Sequence, residues 1–158
     1  MPKNFTQYKR RIDEYLNQYL QKKEESLKNV NRWGGDITTR LRNFISNGKT
    51  IRGGLVLFAS VAYGKRISDD TLRVASALEL IHSGLLIHDD IMDQDRTRRG
   101  VKTLYVQYED LARELHIRNG VPFGRAMAMC IGDITFFLAM ELVSGLSDPR
   151  IAATIINT

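Results

Sequence analysis

The sequence predicts an all-α fold. Apolar residues recur at spacings of three and four along nearly the whole chain, the pattern of amphipathic helices. Only three prolines interrupt 158 residues, and the strict alternation of a half-buried strand is scarce. The composition, 43% hydrophobic and 26% charged, is that of an ordinary globular chain. The length suffices to bury a core without a disulfide framework or a structural metal. The single cysteine, Cys130, excludes such a framework and suits a reducing, cytoplasmic compartment. Residues 1–158 are read as one all-α domain.

The elements follow in order. Phe5, Tyr8, Ile12, Tyr15, Leu16, Tyr19 and Leu20 trace one helical stripe, which Trp33-Gly34-Gly35 is expected to break. Ile37, Leu41, Phe44 and Ile45 mark a short helix closed by Asn47-Gly48, two residues that tolerate a left-handed helix end. Gly54 to Tyr63 reads as a buried helix ended by Gly64. Ser68 is a good N-cap with Asp69 and Asp70 in the first turn, opening a long helix that runs to about Asp93. Asp95 to Lys102 reads as a polar, basic loop, and Leu104 to His116 as a further helix. After Asn119-Gly120 and Pro122, an apolar helix covers about Phe123 to Leu146. Ser147-Asp148-Pro149 then caps a last helix with proline at its first position.

The apolar segment Ala126 to Leu146 contains Asp133 and Glu141. Charges are costly inside a bilayer, so the segment reads as a buried soluble helix and not as a transmembrane span. Met1 to Arg11 is polar and basic, without the apolar run of a secretory signal. The net charge of +5 divides unevenly: residues 1–66 carry 14 basic and 5 acidic side chains, residues 67–158 carry 9 and 13. The basic residues are spread over helix faces with few aromatic stacking platforms, so no nucleic-acid partner is expected.

The chemistry concentrates in Ile81-His82-Ser83-Gly84-Leu85-Leu86-Ile87-His88-Asp89-Asp90-Ile91-Met92-Asp93. Asp89 and Asp93 fall one helical turn apart, about 40° around the axis, and His82 projects within about 20° of Asp89. Carboxylates gathered at a helix C-terminus oppose the helix dipole and repel one another. A hard cation such as Mg²⁺ would neutralise them; a solvated helix end is the plain alternative. Arg96, Arg98, Arg99 and Gly100 follow directly. Guanidinium forks beside metal-type carboxylates suit a metal-bound diphosphate. Upstream, Lys49 and Arg52 stand three residues apart at a helix start, where backbone N–H groups add to an anion site. His88 points away from Asp89 and reads as structural. Cys130, Met127, Met129 and Met140 read as core filling, and His116 has no evident partner.

Taken together, these motifs resemble the trans-isoprenyl diphosphate synthases, the farnesyl and geranylgeranyl diphosphate synthase family. The likeness rests on G-K-x-x-R (Gly48, Lys49, Arg52), on Glu79 to Asp93, on R-R-G (Arg98 to Gly100) and on Gly132-Asp133. It covers the chain from Asp36 onward and implies the N-terminal helices of an isoprenoid-synthase-type helical bundle. By resemblance, Asp89 and Asp93 coordinate Mg²⁺ that holds an allylic diphosphate, Asp90 supports them, and Arg98 binds the same diphosphate. Lys49, Arg52, His82 and Arg99 bind isopentenyl diphosphate. The resemblance further implies that departure of the allylic diphosphate creates a carbocation, that the isopentenyl double bond attacks it and that loss of a proton completes the condensation, with an apolar helix interior shielding the cation from water.

Three positions depart from the family pattern. Thr50 and Gly53 stand where a basic residue and a proline are usual, and Lys102 where a proline usually follows R-R-G-x; they read as local loop variation. Gly84 and Leu85 precede Asp89 without the bulky aromatic that would floor the pocket. Room is left towards Ile81, which points to a product longer than C15, most simply geranylgeranyl diphosphate. Gly84 is equally readable as a helix-packing glycine.

A second aspartate-rich motif, which the family carries in its C-terminal half, does not occur. The chain is then the first part of a longer synthase, one chain of a two-chain synthase, or a non-catalytic, regulatory subunit. Alone it is expected to be inactive. The family's usual homodimer, or a complementing C-terminal chain, is the expected partner.

Overall fold

A computed structural model describes residues 3–157. Among them the chain forms α1 (Lys3–Val30), α2 (Gly34–Ser46), α3 (Ile51–Ala62), α4 (Asp69–Met92), β1 (Thr97–Arg98), β2 (Val101–Lys102), α5 (Leu104–Glu114), α6 (Gly120–Ser144) and α7 (Pro149–Ile156). α4 is the hub: α6 packs along one side of it, and α3, α1 and α2 along others, while α5 lies on α6. Ile12, Leu16 and Leu20 of α1 meet Leu41, Leu57, Leu80 and Ile87 in one continuous core, which Tyr108 and Ile131 extend on the α5–α6 side.

Local chemistry explains the boundaries. Ser68 and Thr71 exchange both bonds of a capping box, so α4 starts where its N-cap residue predicts. Asp148 accepts from the Arg150 backbone N–H, with Pro149 opening α7. α3, α4 and α5 share one ending. A residue in the left-handed conformation (Gly64, Gln94 or His116) lets the next N–H reach back to the carbonyl of Ser60, Asp90 or Ala112. These are Schellman turns, and two of the three use a non-glycine residue. His116 thus has a backbone role that side-chain reasoning could not assign.

The structure also differs from the sequence-based reading. Gly34 and Gly35 open α2 instead of breaking the chain; the turn is Asn31 to Trp33. Asn47 keeps right-handed angles, and the left-handed residue of this loop is Thr50. α3 begins at Ile51 and buries only Gly53, Gly54 and Leu57, leaving Leu55, Phe58 and Val61 about half exposed. The 95–102 loop contains a two-stranded hairpin, Thr97 pairing with Lys102 and Arg98 with Val101. Arg99 and Gly100 form its two-residue turn with positive φ at both, a geometry that Asn-Gly usually supplies.

α6 starts at Gly120, and is the one described helix long and apolar enough to cross a membrane by length and composition. One of its faces packs on α4 and α5; Glu141 pairs with Lys23, and Asp133 lies 3.2 Å from His88 Nε2. Its opposite face is open. Cys130, Met129, Met140 and Phe137 lie exposed there, so the thiol and these two methionines are not core residues. Between α4 and α6, the His88 ring stacks on Phe136 with centroids 5.7 Å apart and planes 6° from parallel. Gly132 makes that possible, because a Cβ there would lie 2.5 Å from His88 Nε2.

Candidate active site

Two clusters of charge meet where the C-terminus of α4 approaches the α2–α3 loop. The first is a cavity of about 100 Å³ lined by Lys49, Arg52, His82 and Arg99, together with Thr50 and Glu79. The four cationic or imidazole side chains expected to share one anion are therefore gathered in one place, although they come from two helices, a loop and a hairpin. Arg99 is steered there by the turn. Its Nη1 donates to the Asn47 carbonyl oxygen at 2.7 Å, tying the hairpin to the α2–α3 loop. Burial lowers the His82 pKa below its ordinary value, and the charges of Arg52, Arg99 and Arg98 lower it further. His82 therefore enters the cavity as a neutral imidazole that can still donate one hydrogen bond.

The second cluster is the aspartate end of α4. Asp89 and Asp93 are exposed and one turn apart, while Asp90 points inward and is 2% exposed. Arg98 reaches across from the hairpin: its Nε donates to Asp90 Oδ1 at 2.7 Å and its Nη2 to Asp89 Oδ2 at 3.1 Å. Burial raises the Asp90 pKa, and the Arg98 bond pulls against that rise. Burial likewise opposes the charge on Arg98, but its bonds to Asp90 and Asp89 outweigh that and raise its pKa. Successive residues of one tight turn thus serve the two clusters, Arg98 the aspartates and Arg99 the cavity.

As a cation site, the aspartate end offers two solvent-open carboxylates and no more. Among the described residues no three His, Cys, Asp or Glu side chains converge. The hard oxygen donors of Asp89 and Asp93 suit Mg²⁺ held jointly with an anionic ligand and water, the way this ion usually binds. Gly84 and Leu85 separate in the structure. A Cβ at Gly84 would lie 2.7 Å from the Phe136 ring, so this glycine seats α6 against α4. Leu85 is 56% exposed and sits one turn before Asp89 on the same open face, with Ile81 half-buried one turn further back.

Glu79 and Thr50 shape the cavity's rim through contacts their motifs do not reveal, with Lys9 and Asp13 behind Thr50. Glu79, buried inside the quoted motif, accepts from the Gly53 N–H at 2.7 Å and so caps α3 from α4. A proline at position 53 would have no N–H to give. Thr50, also buried, adopts φ 53 and ψ 41, a left-handed conformation that costs an L-residue about 1–2 kcal/mol. Lys9 and Asp13 of α1 touch its hydroxyl. The departures at 50 and 53 were the available signal, since each replaces a usual residue with one that makes a new contact.

Comparison with known proteins identifies the family. The sequence model of the polyprenyl synthetase family matches residues 36–158. The chain is 33% identical to a geranylgeranyl diphosphate synthase of Mycobacterium tuberculosis, over 79% of this chain and 30% of that protein. It is also 33% identical to a short chain isoprenyl diphosphate synthase of Methanocaldococcus jannaschii, over 93% of this chain and 37% of the relative. With a farnesyl diphosphate synthase of Geobacillus stearothermophilus the identity is 33%, over 91% and 45%. The crystal structure of a Corynebacterium glutamicum geranylgeranyl pyrophosphate synthase, complexed with isoprenyl diphosphate and magnesium, superposes with a TM-score of 0.78 at 28% identity. That match covers 85% of this chain and 40% of the other. The chain thus spans less than half the length of these relatives. The chain belongs to the polyprenyl synthetase family.

Proposed function

We propose that this chain supplies the first half of the active site of an isoprenyl diphosphate synthase that condenses isopentenyl diphosphate with an allylic diphosphate. One observation carries the reading: a single tight turn sends Arg98 to the aspartates and Arg99 into a separate cavity with Lys49, Arg52 and His82. Two anionic substrates need two such sites, and a terpene cyclase, with one diphosphate to hold, has no use for the second. The family relatives, among them geranylgeranyl and farnesyl diphosphate synthases, support the same chemistry.

In this reading Lys49, Arg52, His82 and Arg99 hold isopentenyl diphosphate, the imidazole as a neutral donor. Arg98 keeps its bond to Asp90 and turns its free guanidinium edge to the allylic diphosphate, stabilising the charge that grows as diphosphate leaves. Asp89 and Asp93 hold Mg²⁺, which when bound neutralises the allylic diphosphate. Leu85 and Ile81 form the near wall of the prenyl pocket, and the absence of an aromatic there favours a geranylgeranyl product. The face carrying Leu85, Asp89 and Asp93 is completed by further helices, from the same polypeptide or a complementing chain, and the assembly is a cytoplasmic homodimer.

The test is a titration of the chain with a bisphosphonate, with and without Mg²⁺, alone and with the remaining half of the family fold supplied. Mg²⁺-dependent binding and turnover of radiolabelled isopentenyl diphosphate by the completed enzyme are expected. Absence of Mg²⁺-dependent binding by the completed enzyme would sink the reading. Binding without turnover would favour a regulatory subunit.

A further inference from the structure

Position 50 requires a left-handed backbone, yet carries threonine, a β-branched residue for which that conformation is a genuine outlier. Glycine or asparagine would adopt it freely. The surroundings show what keeps threonine there. Its carbonyl oxygen accepts the first helical bond of α3, from the Gly54 N–H at 3.1 Å. Its hydroxyl donates to Asp13 Oδ1 at 3.3 Å and accepts from Lys9 Nζ at 3.4 Å. Lys9 and Asp13 are themselves paired at 2.6 Å, one turn apart on α1, and Lys9 also reaches the Ser46 carbonyl oxygen at the end of α2. Neither side chain lines the cavity.

We propose that Lys9 and Asp13 are positioning residues for the diphosphate cavity. They hold Thr50 left-handed, and the angles at residue 50 set how Lys49, just before the helix, lies relative to Arg52, just inside it. A relaxed Thr50 would rotate Lys49 away from Arg52, so α1 presets an anion cradle that it does not touch. Threonine in place of a basic residue then has a consequence. The loop gives up a cation and gains a hydroxyl by which a distant helix controls its shape. This inference rests on the diphosphate reading of the cavity.

The test uses the 158-residue chain, which contains all four cavity residues, and inorganic pyrophosphate without divalent metal. Three proteins are compared by calorimetric titration: the natural chain, the double variant Lys9→Met/Asp13→Leu, and the same double variant with Thr50→Gly. The double variant removes one charge of each sign, so the net charge is unchanged. It is expected to bind about tenfold more weakly, equivalent to about 1.4 kcal/mol. Glycine at 50 needs no brace, so the triple variant is expected to recover to within about twofold. Affinity unchanged in the double variant, or unrecovered in the triple, overturns the proposal, because a general loss of folding would not be repaired at residue 50. Amide hydrogen exchange over residues 47–53 gives a ligand-free readout: faster in the double variant, restored in the triple. If the natural chain does not bind pyrophosphate, the diphosphate reading fails for the cavity. Unchanged exchange in the double variant would then independently overturn the brace.

Discussion

Arg98 and Asp90 form a largely buried charge pair, with Arg98 Nε 2.7 Å from Asp90 Oδ1. Asp89, its neighbour, is 52% exposed and takes only the outer edge of the same guanidinium. The two aspartates therefore differ in what their charge does. Asp90→Asn weakens a pair that solvent barely screens and is expected to cost about 1–3 kcal/mol. In a chain of this length that lowers the melting temperature by about 3–10 °C. Asp89→Asn should stay within about 0.5 kcal/mol. Thermal unfolding followed by circular dichroism separates them, and equal effects would contradict the inward placement of Asp90.

His82 titrates below its ordinary 6.5, held down by burial and then by Arg52, Arg99 and Arg98. The sign follows. As pH falls through 6.5 the unfolded chain takes up a proton that the folded chain refuses, so His82 lowers stability in the window just below 6.5 and has no effect above it. An NMR titration of the imidazole should give a midpoint under 6.5 in the free chain. Adding pyrophosphate should move that midpoint upward, since an anion in the cavity offsets the three arginines.

Gly84 and Leu85, adjacent in sequence, should respond oppositely to added bulk. Even Gly84→Ala brings a methyl against the Phe136 ring and is expected to cost about 1–3 kcal/mol in chemical denaturation. Gly84→Phe is expected not to fold, so it cannot report on product length. Leu85→Phe adds its ring on an open face and should leave stability within about 0.5 kcal/mol. In the completed enzyme it should shorten the product, read by chromatography of the dephosphorylated prenols. An unchanged product would remove Leu85 from the pocket wall.

The open face of α6 should make the isolated chain adhesive. Phe137 is 75% exposed, with Met129, Met140 and Cys130 beside it. Large apolar side chains exposed in this way promote association, even with Asp133 and Glu141 on the same face. Phe137→Ser is expected to reduce concentration-dependent light scattering without lowering the melting temperature. Cys130 should react fully with Ellman's reagent in native buffer, as an exposed thiol does.

Much of this architecture was readable in the residues, and the gaps have physical causes. Helices with side-chain caps or strong periodicity, such as α4 behind Ser68 and α7 behind Asp148, lay where their signals placed them. The cavity residues were named from their motifs, and the structure gathers them. What escaped was set by tertiary contact. The left-handed angles at Thr50 and Arg99 contradict their local preferences and persist through bonds to Asp13, Lys9 and the Asn47 carbonyl, from segments tens of residues away. The apolar run of α6 looked fully buried because hydrophobicity records which residues can be covered, not which neighbours cover them. Glu79 was inside the motif, but its role depends on a glycine N–H twenty-six positions earlier.

The His88 ring, seated in the notch that Gly132 leaves and stacked on Phe136, works as a key in a keyway. It is the residue immediately before Asp89. α4 cannot slide or turn relative to α6 without withdrawing that ring, so the bearing of the aspartates is indexed by a helix that contributes no ligand itself. A Cβ at position 132 would press on the tip of the His88 ring, so Gly132→Ala is expected to disturb the residue beside Asp89 from the far side of the helix pair.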